Sequence, residues 1–188
     1  MNPARRHATY EDLLQVPDIF IAEIIDGELL TSPRPAFPHA RAASVLIQDL
    51  SPFDRRPGGS GGPGGWWILF EPELHLGSDV LVPDLAGWRQ ERMPVLQDVP
   101  YSELPPDWVC EVVSPSTVRV DRIRKMTVYA REQVRHLWLV DPLARTLEVY
   151  RLEDRRWFVV GTHGESELVR AEPFEALGLD LGRWWLES

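Results

Sequence analysis

Apolar positions along this chain recur with two different periods, and the switches between them outline its elements. Residues 9–16 read as a short helix. Thr9 supplies an N-cap, and Asp12 stands three residues on, a capping-box spacing with Asp in place of the usual Glu. Pro17 stops that helix. Residues 19–25 are β-rich and lead through Asp26-Gly27 into 28–31; an Asp-Gly between two apolar runs predicts a tight hairpin. Pro33, Pro35 and Pro38 form a stiff link into a helix over 37–50, on which His39, Ala43, Leu46 and Leu50 share one stripe.

Beyond a Pro- and Gly-rich surface loop at 51–65, the pattern becomes strand-like. Strands are expected at 66–70 and 73–76, either side of Pro72. Residues 80–88 read as one apolar strand carrying a single acid, Asp84. A long loop over 89–106 precedes another apolar strand, 108–113, again with one acid, Glu111. Residues 114–117 make a turn and cap before a helix at about 118–132. A core strand at 137–140 ends at Asp141-Pro142, and 146–151 with 157–162 form a hairpin through Glu153-Asp154. The last stretch, 173–186, carries a short helix and an apolar tail with Trp184 and Trp185, which either packs on the core or forms an interface. There is no internal repeat and no linker. The order suits a single α/β (α+β) domain over residues 1–188, with a central mixed sheet flanked by helices.

Composition narrows this picture. A chain of 188 residues with 44% hydrophobic content and eight tryptophans buries a substantial core. No apolar run approaches the ~20 residues of a membrane span, and residues 1–7 are polar and basic with no apolar stretch behind them, so no secretion signal and a cytoplasmic location are expected. The single cysteine, Cys110, excludes an internal disulfide and a Cys-rich zinc site, and reads as a small buried residue. A formal net charge of -9 argues against a general DNA coat protein, because backbone binding is mostly neutralisation of phosphates. The glycine run lacks the Gly-Lys-Ser/Thr ending of a phosphate-cradling loop.

Two acids carry the chemistry. Asp84 and Glu111 each lie inside an apolar strand, where a charged carboxylate is costly unless it is paired or binds metal. Oxygen ligands of this kind suit Mg²⁺; the plainer alternative is that each acid marks a strand end and pairs with an arginine. On the helix that follows, Val120, Ile123, Met126, Ala130 and Val134 share the predicted core face. Arg122, Lys125 and Tyr129 share another, and Arg124, Arg131 and Arg135 point to solvent. Lys125 is either an ordinary solvated charge or a cation beside bound phosphate. His39 is either a hydrogen-bonded core histidine or a group that orients water or phosphate. His7, His75, His136 and His163 show no metal-ligand spacing, and Ser114 and Ser116 read as turn and cap residues.

Together these segments resemble the PD-(D/E)XK nuclease superfamily, and more closely its Uma-type restriction endonuclease family. The matching pieces are Ala22-Glu23-Ile24-Ile25-Asp26-Gly27-Glu28, His39, Val82-Pro83-Asp84, Glu111-Val112-Val113-Ser114-Pro115-Ser116-Thr117, Lys125 with Tyr129, and Leu137-Trp138-Leu139-Val140-Asp141-Pro142. They span nearly the whole chain in the family's order. The resemblance implies a restriction-endonuclease-like core and a metal-dependent DNA endonuclease using Mg²⁺, with Mn²⁺ as a substitute. Asp84 and Glu111 would hold the ion, Glu23 would add a further acid, and His39, Tyr129 and Arg122 would be accessory. The superfamily lysine two residues after the Glu is here Val113, so the resemblance assigns its place to Lys125. Cutting both strands of a duplex implies a homodimer. The competing expectation is a catalytically inactive nuclease-fold binding or assembly module, which the net acidity and Val113 favour.

Overall fold

The computed structural model describes residues 6–54 and 61–186. The glycine-rich loop expected over 51–65 therefore lies partly outside the described residues. The first helix, α1 (Tyr10–Leu13), starts where its cap predicts: the Asp12 amide donates to the Thr9 hydroxyl while the Asp12 carboxylate accepts from the Thr9 amide at 2.8 Å. β1 (Phe20–Ile25) and β2 (Glu28–Pro33) form the expected hairpin. Asp26 and Gly27 both adopt positive φ, 53° and 74°, as a primed two-residue turn demands. α2 (Phe37–Leu50) follows, and buries Ala42, Ala43, Val45, Leu46 and Leu50.

The run expected as one strand over 80–88 is two strands in two different sheets. β5 (Asp79–Leu81) pairs with β1 and with β4 (Glu73–Leu76), in a five-stranded sheet of order β2-β1-β5-β4-β7, where β7 is Tyr101–Ser102 within the predicted loop. β6 (Leu85–Arg89) pairs with β3 (Trp66–Phe70) and β8 (Trp108–Val112). Pro83 offers no amide for ladder pairing, and the chain passes from one sheet to the other at Val82-Pro83-Asp84. The six-stranded mixed sheet runs β11-β10-β9-β8-β6-β3, with β9 (His136–Asp141), β10 (Thr146–Glu153) and β11 (Arg156–Gly164). β8 and β9 are parallel, so a crossover must join them. That crossover is the helix predicted at 118–132, in two parts: a π-helical segment (Val120–Lys125) and α3 (Met126–Arg131).

The π-helical turns rotate the side chains away from the face a regular 3.6-residue period assigns. Ile123, expected in the core, is 59% exposed, whereas Asp121, Lys125, Val128 and Tyr129 are buried. Arg124 and Arg131, expected in solvent, pair with Glu28 and with the buried Asp79.

β8 is buried along its whole length because both faces of the six-stranded sheet are covered. One face packs on α2 and the C-terminal segment, the other on α3 and the five-stranded sheet. The C-terminal tail closes the first face: Leu181 and Trp184 are fully buried, beside a 3-10 turn (Leu181–Arg183) where a short helix was expected. Phe174 sits at the centre of an aromatic cluster, its ring 4.8 to 5.6 Å from those of Phe53, Trp66, Trp108 and Trp138. Cys110 is buried, as expected. Among the described residues no helix is long and apolar enough to cross a membrane.

Phe174→Ala should empty a fully buried site whose rings hold one another in place, at a cost of ~3–5 kcal/mol. Urea unfolding followed by tryptophan fluorescence measures it, and a loss below ~1 kcal/mol would show that the cluster collapses to fill the space.

Candidate active site

The point where the chain changes sheet brings four acids and one lysine together. Glu23 comes from β1, Asp84 from the link between β5 and β6, Glu111 from β8, and Asp121 and Lys125 from the π-helical segment. All five are buried, yet all line one cleft of about 310 Å³. The ammonium of Lys125 lies 2.9 Å from Glu23 Oε1, 3.2 Å from Glu111 Oε2 and 3.5 Å from Asp121 Oδ1. Glu111 also accepts from the Tyr129 hydroxyl at 2.6 Å. Asp84 accepts from the Val112 amide at 2.7 Å through Oδ2, and its Oδ1 lies 3.1 Å from His39 Nε2. The Val82 amide donates to Glu23 Oε1 at 2.8 Å. Each carboxylate is therefore aimed by a backbone amide, a hydroxyl or the ammonium.

Of the residues singled out in the sequence, Asp84, Glu111, Lys125, Glu23, His39 and Tyr129 converge here. Arg122 does not. Its guanidinium pairs with Glu148 at 2.9 and 2.5 Å and contacts Tyr150, on the sheet away from the cleft. It shared a face with Lys125 only on a regular helical wheel, and the π-helical segment separates them. Asp121 was not singled out. Its signal was available, since an acid four residues before Lys125 is the favourable order for a helical ion pair. Val113, at the superfamily lysine position, is a buried apolar residue whose amide bonds Val140. The Ser114, Ser116 and Thr117 hydroxyls bond one another at the rim of the cleft.

Four acids and a single lysine face one another out of water, and the ionisation equilibria respond. Burial pushes the Glu111 carboxyl well up; Lys125 opposes that, and Asp121, Asp84 and Glu23 reinforce it. Burial likewise raises Asp121, against the pull of Lys125. Burial works against the charge on Lys125, but Glu111, Glu23 and Asp121 outweigh it and hold the ammonium well above its usual range. The lysine is thus firmly charged and the acids around it still lack positive charge. That deficit, with an all-oxygen donor set, fits a hard divalent cation. Among the described residues no three His, Cys, Asp or Glu side chains form a ready-made cage. Mg²⁺ does not need one, since one or two carboxylates with water and phosphate usually hold it.

His39 shows the same balance. Burial lowers its affinity for a proton, but the hydrogen bond and charge of Asp84, with Asp121 and Glu71, raise it above the usual value overall. A raised folded value contributes stability below pH ~6.5 that is lost as pH rises through the folded value. In metal-free protein the His39 ring should titrate above ~6.5 by NMR, and at a lower pH in Asp84→Asn, which leaves only Asp121 and Glu71 to oppose burial. A midpoint that does not move would deny the pairing. Lys125→Met should cost ~3–5 kcal/mol near neutral pH because it strands buried carboxylates. The loss should shrink as pH falls and those groups take up protons; urea unfolding at pH ~8 and ~5 measures both.

A family model described as "Putative restriction endonuclease", Uma2, matches residues 8–182. A crystal structure described as that of a putative nuclease from Anabaena variabilis ATCC 29413 superposes with a TM-score of 0.70 at 21% identity, covering 94% of this chain and 98% of that one. Identity at that level carries the fold, here a mixed α/β nuclease fold. No curated protein matches the chain. With the family model running through both sheets and every residue of the acid–lysine cluster, the chain belongs to the Uma2 family.

Proposed function

We propose that this protein is a magnesium- or manganese-dependent endonuclease that hydrolyses DNA phosphodiester bonds. The observation that carries the reading is Lys125, held 3.2 Å from Glu111 in a buried cluster that shares its cleft with Asp84. Membership of a family described as "Putative restriction endonuclease" supports it. Asp84 and Glu111 would hold the ion, with Glu23 the next carboxylate. A bound divalent ion would supply charge stabilisation to the phosphoryl oxygens and a nucleophilic water near neutral pH.

The chain's own residues do the rest. The Val112 amide and His39 fix the Asp84 carboxylate, and Tyr129 fixes Glu111, so neither acid needs to reorganise when a substrate arrives. Lys125 presents a charged group already stripped of water, which stabilises the extra negative charge on a phosphorus under attack. Glu23 and Asp121 hold that ammonium in place. Cutting both strands of a duplex would take two such sites, and therefore two copies of the chain.

The test uses end-labelled DNA, single-stranded and duplex, with Mg²⁺ or Mn²⁺ and with a chelator. Wild type should cut in metal and not in chelator. Asp84→Asn, Glu111→Gln and Lys125→Met should each lower the rate by ~10²–10³-fold or more while circular dichroism stays native. Cleavage that survives Asp84→Asn and Lys125→Met would overturn the assigned residues. No cleavage with either ion, in a folded protein, would favour the non-catalytic binding or assembly module.

A further inference from the structure

Seating a phosphodiester in this cleft needs a cation that can reach it, and the buried lysine is already engaged. An ammonium has three N–H donors, and the Lys125 nitrogen has three carboxylate oxygens within 3.5 Å, from Glu23, Glu111 and Asp121. Lys125 therefore acts on a phosphorus through its charge and has no donor left over for a phosphate oxygen. Among the described residues the cleft lining holds one further Lys or Arg side chain, Arg34. That side chain is 56% exposed. Its guanidinium donates to the Asp18 carbonyl at 2.9 Å and meets Glu71 at 3.4 Å, and the rest of its five N–H donors make no bond within the described residues.

Two features hold that guanidinium where a phosphate would arrive. The first is the backbone: Arg34 follows the last residue of β2 and stands between Pro33 and Pro35. The proline rings fix their own φ, and a residue that precedes proline is kept extended, so the backbone that carries the arginine is set before any ligand comes. The second is Glu71, whose carboxylate meets the guanidinium while its amide donates to the Asp84 carbonyl at 3.0 Å. One residue thus separates Arg34 from an acid proposed to hold the ion. The Glu71 carboxyl is raised by burial and by Asp84 and lowered by Arg34 and His39, so the arginine and the acid cluster act on the same group. The planar fork of a guanidinium matches two phosphate oxygens at once, which an ammonium, a point charge, does not.

The geometry points to Arg34 as the residue that binds a phosphate of the substrate strand in this cleft, a substrate-binding arginine for the reaction proposed above. The inference rests on that reading for the identity of the strand and is measured separately from it, by binding. Fluorescein-labelled duplex DNA of mixed sequence is titrated with the full chain by anisotropy, with Ca²⁺ in place of Mg²⁺, over a range of NaCl concentrations. Arg34→Ala should weaken binding roughly 10- to 100-fold and lower the slope of log affinity against log salt by ~0.9, the loss of one phosphate contact. Arg34→Lys should keep the slope yet bind more weakly than wild type, because the charge survives and the fork does not. A role confined to fastening the chain at Asp18 would leave the slope where it was. Arg156→Ala removes an exposed arginine on β11, outside the cleft lining, and should leave affinity and slope unchanged. In the cleavage assay Arg34→Ala should raise KM with kcat nearly unchanged, whereas Lys125→Met lowers kcat. A wild-type salt slope in Arg34→Ala, an equal loss in Arg156→Ala, or no DNA binding at all would each overturn the proposal. Cleavage by Arg34→Ala at wild-type KM would overturn it while the hydrolytic reading stands. Binding that depends on Arg34, without cleavage in Mg²⁺ or Mn²⁺, would uphold it and overturn the hydrolytic reading.

Discussion

Taking a lysine ammonium out of water is among the costliest things a fold can do, and here the fold does so at its centre. Lys125 is buried with three carboxylates within 3.5 Å, supplied by β1, β8 and its own helix. Remove those partners and the charge would have to be given up or the helix would have to turn its lysine outward. The partners are equally dependent, since Glu111 and Asp121 are buried where an isolated carboxylate would be protonated. Mutual need of this kind ties two sheets and a crossover helix to one point. It also explains why the crossover departs from regular helix: the π-helical turns bring Asp121 and Lys125 inward together and leave Ile123 outside.

Around that point the two sheets divide the labour. The six-stranded sheet, sealed on one face by α2 and the tryptophan-rich C-terminal segment, provides a rigid floor from which Glu111 projects. The five-stranded sheet brings Glu23, and the link between the sheets brings Asp84. Because the Asp84 carboxylate accepts the Val112 amide, the link is fastened to the strand that carries Glu111, and the two acids share one rigid frame. A site assembled this way is set before any ion or substrate arrives, the arrangement that electrostatic catalysis requires. Acids and lysine come from segments some hundred residues apart, so disturbance of either sheet reaches the site.

Much of this was legible along the chain, and each success has a local cause. The capping box at Thr9 and the Asp26-Gly27 turn depend on neighbouring residues alone, and both form as their chemistry dictates. Asp84 and Glu111 stood out because an acid inside an apolar run needs a reason, which single-sequence patterning registers. The misreadings have causes too. Residues 80–88 look like one strand because apolar character continues across Pro83, although the pairing partner changes there. Arg122 was grouped with Lys125 because a wheel assumes one helical period, and the pairing of the exposed Arg131 with Asp79 was missed because the two lie 52 residues apart in sequence.

What the sequence determined by itself is the stock of elements and the identity of the unusual groups: short caps, hairpins, apolar strands, two misplaced-looking acids, and a helix rich in charge. Those follow from interactions over a few residues, which any window along the chain contains. Tertiary structure alone decided that Asp121 joins Glu23, Asp84, Glu111 and Lys125 in one cleft, and that Arg122 does not. The reason is physical. A buried ion cluster is a many-body arrangement whose members are favourable only together, and the sheet crossing at Pro83 and the π-helical turn that assemble it are chosen by that collective balance rather than by local preference.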